Sequence, residues 1–448
     1  MAGLSTTLEI AKSTLLNEQV LIQTTSHNIS NAENKAYARQ KANLVTNPAY
    51  RTQAGWLGLG ARVDQVFQVR DQYVEQQLMT GIAQQSDYST RSGFLESIGT
   101  YLKDDGATGI SNDLGKFWDA WDALGQNSGG IVERQGVISA AETLADKLQV
   151  SQASLTALRQ NIQSQTGYTV TKINDLLNKI ASYNKSISSF EASGKPANDL
   201  RDLRYQALTD LSELIGFSYT EEANGSISIS LQDGSTSVSL LSDQNAGKLL
   251  YDQGTGLVSY QDPAGNSIAP ASNDLSGGKL AGLLASSQKT TDFSNRLDIL
   301  AAELIVQVNT IYDPTLVQKV FDGTAASDIA VNAAFKDPAS INAEPALDIA
   351  DLQNTQLTNL GNSRFIDYLG DIQQQIGLDQ QDASSRADFQ GALVEHLETQ
   401  QQSVSGVSID EEMIELLKHQ QVYQAAAKIV NTTQRLLDAV IGMVGTFG

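Results

Sequence analysis

Cysteine is missing from this 448-residue chain, which excludes a disulfide framework, a thiolate metal site and a thiol nucleophile in one step. Positive charge is scarce: 30 Lys and Arg stand against 51 Asp and Glu, a net charge of −21 at pH 7. Nucleic acid and anionic membranes are held by clustered cations, so neither is an expected partner. No apolar run reaches the roughly 18 residues of a membrane span. Residues 1 to 22, MAGLSTTLEIAKSTLLNEQVLI, interleave polar side chains throughout, so a cleaved signal peptide is not expected. Aromatics make up only 6% of the chain, a balance that suits long helices better than compact aromatic cores. Prolines fall only at 48, 196, 263, 270, 314, 338 and 345, leaving 49–195 and 346–448 free of the strongest helix breaker. The length allows roughly two to four domains.

What the chain does have is helical periodicity. Leu4, Leu8, Ala11, Leu15, Glu18, Ile22, Thr25 and Ile29 follow alternating steps of four and three, giving one mostly apolar helical face. The same stepping near the other end collects Ile409, Met413, Leu416, Gln420, Tyr423, Ala427, Val430, Gln434, Leu437, Ile441 and Val444. A helix of that span is roughly 54 Å long. Packed on each other, the two seams would bring both chain ends to one end of a rod; each seam packed on a globular core is the ordinary alternative. Residues 64–103 and 131–193 carry further helical periodicity, as do 280–311.

Between Gly216 and Gly278 the pattern changes. Ile227, Ile229 and Leu231 alternate with serine, Val238 and Leu240 recur after Asp233-Gly234, and Asn224-Gly225 and Gly265-Asn266 supply turns. The expected fold is therefore mainly α with a small β insertion. Paired, coiled-coil-like terminal helices occupy 1–35 plus 409–448, an elongated antiparallel helical body 36–215 plus 279–408, and an inserted all-β domain 216–278.

Candidate chemistry is thin. In TTSHNISNAENKAYARQKANLV, His27 could act as a base toward Ser26 or Ser30, but the same cluster suits a helix end, where short polar side chains satisfy open backbone groups. His396 and His419 sit in helical contexts, and Glu415 with His419 reads as an i, i+4 surface pair rather than a zinc site. Gly58-Leu59-Gly60 lacks the third glycine and following helix of a dinucleotide loop and reads as a turn or bulge before a strand. Asp410, Glu411 and Glu412 fit the first turn of a helix capped by Ser408, and Trp118 and Trp121 fit a core anchor. No catalytic, cofactor or metal site is expected.

The stretch TTSHNISNAENKAYARQ resembles the N-terminal signature of the axial proteins of the bacterial flagellum, a Ser-x-Asn-Ile-Ala/Ser-Asn core before Tyr-x-Arg-Gln. Thr25, Asn28, Ile29, Asn31, Ala32, Tyr37, Arg39 and Gln40 match, while Asn34-Lys35-Ala36 replaces the usual Thr-Pro-Gly. SGVSIDEEMIELLKHQQVYQAAAKIVNTTQRLLDAVIGM is similar to the C-terminal signature. QVRDQYVEQQL, STRSGFLESI, FWDAWDAL, NDLRDLRYQALTDLSELIGFS and GGKLAGLL resemble the helical body of the hook-associated branch, which joins hook to filament.

The resemblance implies a structural subunit outside the cell at the hook-filament junction, exported by the flagellar type III system. Its implied partners are hook protein, a second flagellin-like junction protein, copies of itself in a helical ring, and an export chaperone. Implied assembly contacts are Leu4, Leu8, Leu15, Ile22, Asn28, Asn31, Tyr37, Arg39, Gln40, Met413, Leu416, Gln420, Tyr423, Val430, Leu437 and Ile441, with Tyr37 and Arg39 pairing between subunits. Another axial subunit (hook, rod or second junction protein) and a secreted coiled-coil adhesin are the alternative readings.

Overall fold

A computed structural model describes residues 2–52, 55–104, 108–233, 236–268 and 275–445. The turn expected at Asp233-Gly234 and the side chain of Val444 fall outside the described set. Helix α1 runs Ala2–Ser30. It stops where the Ser30 hydroxyl and the Asn31 amide both donate to the His27 carbonyl, at 2.9 and 3.0 Å. The Ser-His-Asn cluster is thus a helix end, since its side chains take up carbonyls that the last turn leaves open.

The chain then departs from expectation. Residues assigned from the sequence to the helical body form a β hairpin, β1 Gln40–Thr46 against β4 Ala61–Gln68, extended by the short strands β2 Tyr50–Thr52 and β3 Gly55–Leu57. The helical periodicity read from residue 64 therefore starts too early. Arg62 and Asp64 alternate with Ala61 and Val63 at the period of a strand, and Asn17 of α1 holds that strand, donating to the Ala61 carbonyl and accepting from the Val63 amide.

Helix α2, Gln72–Tyr101, begins at Asp71, whose carboxylate accepts from the amides of Tyr73 and Val74. Then come α3 (Ile110–Gln126), α4 (Ile131–Glu191) and α5 (Asn198–Leu214). The 61 residues of α4 span roughly 90 Å. Strands β5 Ser218–Glu221, β6 Ile227–Asp233, β7 Thr236–Ser242 and β8 Asn245–Ala246 form one antiparallel sheet in chain order. Strands β9 Lys248–Asp252, β10 Leu257–Gln261 and β11 Ser267–Ile268 form a second. Helices α6 (Gly278–Tyr312), α7 (Ala346–Asp351), α8 (Phe365–Ser405) and α9 (Ile409–Gly445) complete the chain. The protein is mainly α with small antiparallel sheets.

Two apolar cores share α4. Its first half packs with α3, α6, α7 and α8 around Trp121, Phe117 and Phe321. Its second half, through Ile173, Leu177 and Ile180, packs with α5 and both β sheets. The accessible surface is 22980 Å². A compact chain of 48.1 kDa would expose about 16,500 Å², so the molecule is drawn out. In GGKLAGLL, Gly278 has φ +86°, and a Cβ on Gly282 would lie 2.7 Å from the Asp87 carbonyl, so glycine there lets α6 approach α2.

Trp121 is fully buried, with the rings of Phe117, Tyr312 and Phe335 about it at centroid distances of 6.2, 6.1 and 6.0 Å. Trp121→Ala is expected to destabilise the body by about 3–5 kcal/mol through lost transfer energy and the residual cavity. Thermal denaturation read by near-UV circular dichroism checks it; an unchanged midpoint would remove Trp121 as the anchor.

Candidate assembly interface

Helices α1 and α9 pair antiparallel. Glu18 meets His419 at 2.7 Å and Asn28 meets Glu412 at 3.0 Å, so both chain ends lie at the same end of the pair. Seven residues further along each helix, this register sets Ala11 opposite Ala426, and seven more set Leu4 opposite Thr433. Ala11, Thr25, Glu412, Ala426 and Thr433 are all buried. The contact inside one chain is therefore built from small and polar residues, supported by the partly buried Leu4, Leu8, Leu15, Ile22, Leu416, Val430 and Leu437.

The rest of the apolar stripe read from the sequence points elsewhere. Met413 is 51% exposed, Tyr423 40% and Ile441 62%, and Gln420 is exposed too. Ile414, Leu417, Ile429 and Leu436 join them on the open side of α9. The α9 residues that face α1 are instead Glu412, Leu416, His419, Ala426, Val430, Thr433, Leu437 and Val440. Sequence periodicity selected the most apolar line along the helix; the line closed within the chain shares Leu416, Val430 and Leu437 with it and is otherwise made by Glu412, His419, Ala426, Thr433 and Val440.

At the root of the pair, Asn28 is only 2% exposed, and its amide makes four hydrogen bonds. Nδ2 donates to the Gln40 carbonyl at 2.9 Å and to Glu412 Oε2 at 3.0 Å. Oδ1 accepts from the Tyr37 hydroxyl at 2.7 Å and the Gln40 amide at 3.0 Å. One side chain thus ties α1, the exit segment, β1 and α9 together. Burial, then the nearby Asp202, Asp199 and Glu412, push the Tyr37 hydroxyl above its ordinary pKa, so it stays a donor. Gln40 continues the chain of bonds to Asn198 and Asp199 of α5.

Arg39, expected to pair between subunits, finds its partners inside the chain: Nε donates to Glu412 Oε1 at 2.7 Å and Nη1 to Glu411 Oε2 at 3.2 Å. The capping expected at Ser408 is half made. Its hydroxyl accepts from the Glu411 amide at 3.4 Å, but the Glu411 carboxylate turns to Arg39 instead of back to Ser408. Asn31 stays at the end of α1.

Below this root lies a buried ionic cluster that sequence reading missed. Arg70 donates to Glu75 and Asp202, each at 2.6 Å, and to the Ala36 carbonyl at 3.2 Å, with the Tyr205 ring 4.4 Å from its guanidinium carbon. Burial pushes the Asp202 carboxyl up to about 6 and raises Glu75 also, against the pull of Arg70, because one cation serves two anions. The same pair of anions holds Arg70 firmly protonated. The cluster fastens the exit of α1 to α2 and α5. Its residues lie within QVRDQYVEQQL and NDLRDLRYQAL, but no local spacing shows that segments so far apart in the chain share one cation.

The catalytic reading of the opening cluster finds no support in the geometry. Ser30 donates to the His27 carbonyl rather than its imidazole, and His27 stacks edge-on against Tyr37. His419 is occupied by Glu18 and, at 3.5 Å, Glu415. Among the described residues no acidic and histidine cluster is arranged to hold a metal, and no helix is long and apolar enough to cross a membrane.

The geometry defines an elongated, mainly α chain whose two ends fold back into one antiparallel arm. Residues 95–317 match the family described as the flagellar hook-associated protein FlgK helical domain, and residues 400–443 match the flagellar basal body rod FlgEFG protein C-terminal family. The chain is similar to flagellar hook-associated protein 1 of Bacillus subtilis (strain 168), 26% identical over 500 residues, taking in 98% of both chains. It is 24% identical over 554 residues to flagellar hook-associated protein 1 of Salmonella typhimurium, covering 98% of this chain and 100% of that one. The solved structure of the flagellar hook junction protein FlgK from Burkholderia pseudomallei is similar over 53% of this chain and 43% of that chain, with 26% identity and a TM-score of 0.48. The chain is thus a relative of flagellar hook-associated protein 1 over nearly its whole length and carries the helical domain that marks that protein.

Proposed function

We propose that this chain is the structural subunit that joins hook to filament in a bacterial flagellum, assembling with its own copies into a helical ring above which flagellin polymerises. The observation that carries this reading is the open side of α9, where Met413, Ile414, Leu417, Leu436 and Ile441 are each half exposed or more. Apolar area contributes about 25 cal/mol per Å² when covered, so neighbouring subunits on this face supply the main assembly energy. The relatives named above match the chain over nearly its whole length, which favours this place over that of a hook or rod subunit. Hook protein below and a second, flagellin-like junction protein above are the neighbours in this reading. A chaperone covers the chain before type III export, which needs no cleaved signal peptide and delivers the subunit outside the cell. The role is mechanical, and no cofactor or catalytic group enters it.

Deleting the gene and imaging the cells tests the reading. Bare hooks with unpolymerised flagellin in the medium are expected; intact filaments would overturn it. Leu437 is half-buried on α9. With Leu437→Asp, the carboxylate must be desolvated when the terminal helices close and assemble. Labelled hooks should fall at least roughly tenfold, the equivalent of about 1.4 kcal/mol, while the body melts as before. Normal hook occupancy by this variant would argue against the terminal pair as the assembly element.

A further inference from the structure

Two exposed features lie apart on this chain and complement each other. The first is the β2–β3 hairpin, which carries Trp56 at 74% exposure and Leu57 at 40%, with Arg51 directly across from Trp56 in the ladder. In a chain of net charge −21, residues 40–68 hold Lys41, Arg51 and Arg62 against Asp64 alone. The second is a cleft of ≈ 1130 Å³ where the exit of α1 meets α2, α5 and the end of α8. Leu78 and Val394 give it an apolar floor, and Glu213 and Glu398 stand on its rim. Neither rim carboxylate has a salt bridge among the described residues, and of the cations in the same wall, Lys35, Arg39 and Arg70, the two arginines are already paired with other carboxylates of this chain; burial, then Asp210, raises the pKa of Glu213. The Ser405 hydroxyl, also in the wall, is buried without a hydrogen-bond partner.

The hairpin of one chain does not reach its own cleft. Strand β1 leaves the cleft at Gln40 and has risen roughly 20 Å by Thr46, with β2 and β3 beyond. A contact between the two features therefore joins different copies, and repeated head to tail around the ring of the junction-subunit reading it runs from copy to copy. We propose that the β2–β3 hairpin of one copy inserts Trp56 and Leu57 into the cleft of a second copy, setting Arg51 against Glu213 and Glu398. The proposal rests on the junction-subunit reading and names the contact that holds the copies in sequence. An exposed tryptophan beside an arginine, facing a partly apolar pocket with two carboxylates outside any salt bridge at its rim, has the composition of an interface anchor.

The absence of native cysteine allows a clean test. Full-length Leu57→Cys/Gln402→Cys, expressed in cells lacking the native gene, is oxidised on isolated hooks with copper phenanthroline and run without reductant. A ladder running beyond dimer is expected for the double variant and for neither single variant. Adding Glu398→Arg should weaken the ladder several-fold, and Arg51→Glu in the same chain should restore it. Immunolabelled hooks with no ladder overturn the docking and leave the junction reading standing. Hooks without label overturn both. A dimer band from Leu57→Cys alone would mean that hairpins meet each other, and that too overturns the proposal.

Discussion

Arg70→Met is expected to lower stability by about 3–5 kcal/mol at pH 8, the cost of stripping the counter-ion from a buried charge cluster. The side chains of Glu75 and Asp202 are 4% and 9% exposed, and Arg70 is the cation between them. Asp202 Oδ2 already lacks a hydrogen-bond partner. Methionine fills much of the same volume, so the loss is electrostatic rather than a cavity. The sign with pH follows from the carboxylates. Asp202 sits at about 6 in the folded chain and Glu75 is raised in the same direction, both above their ordinary values near 4. The folded state therefore binds protons that the unfolded state has released, and stability contributed by these groups falls as pH rises through that window. Without Arg70 both carboxyls rise further. The deficit of the variant should be largest at pH 8 and shrink as pH falls toward about 6, because the variant's carboxyls, raised above their native values, take up protons first. Thermal unfolding of both chains at pH 5, 6 and 8 reads this directly; an equal deficit at all three would show that Arg70 acts by packing alone.

Legibility of the sequence follows the range of the interactions. Helix pairing at the two ends was readable because an amphipathic face repeats locally, and the antiparallel sense follows from both ends being terminal. Which face of α9 closes on α1 was not. Met413, Gln420, Tyr423 and Ile441 continue the most apolar line, yet Glu412, His419, Ala426 and Thr433 make the intrachain contact. A helix with two faces to cover presents two lines, and periodicity does not say which is covered first. The fully buried Trp121 was readable because indole in an aromatic-poor chain has few other uses. The hairpin over residues 40–68 was half visible, through the glycine turn before Ala61, while β1 carries little alternation and owes its place to pairing with β4 and to the Asn28 amide. The Arg70 cluster was invisible for a plainer reason: its partners come from separate helices, and single residues of ordinary type carry no signal of distant company.

Asn28→Ala is expected to loosen the root of α9 while leaving the body intact. The substitution removes four hydrogen bonds at a site 2% exposed and leaves behind the Gln40 peptide, the Tyr37 hydroxyl and a buried Glu412 carboxylate, each short of a partner. Unsatisfied buried groups cost about 1–3 kcal/mol apiece, and relaxation brings the sum to on the order of 3 kcal/mol. Arg39 still holds Glu412, so α9 is loosened rather than released. Hydrogen exchange should quicken through residues 409–420 and around Gln40 while the amides about Trp121 keep their protection. Asn28→Asp separates shape from charge: it preserves the acceptor toward Tyr37 and Gln40 but sets a second carboxylate 3.0 Å from Glu412, where the native amide donates. At neutral pH it should be worse than alanine, and acidification should rescue it where alanine is not rescued. If both variants exchanged like the native chain, the arm would be held by the Glu18–His419 contact and its helix neighbours, and the Asn28 bonds would be passengers. If exchange quickens as expected, the fall in hook occupancy should track the loosening of α9 across the variants, because a subunit that cannot hold its two termini as one arm has no fixed face to offer the next.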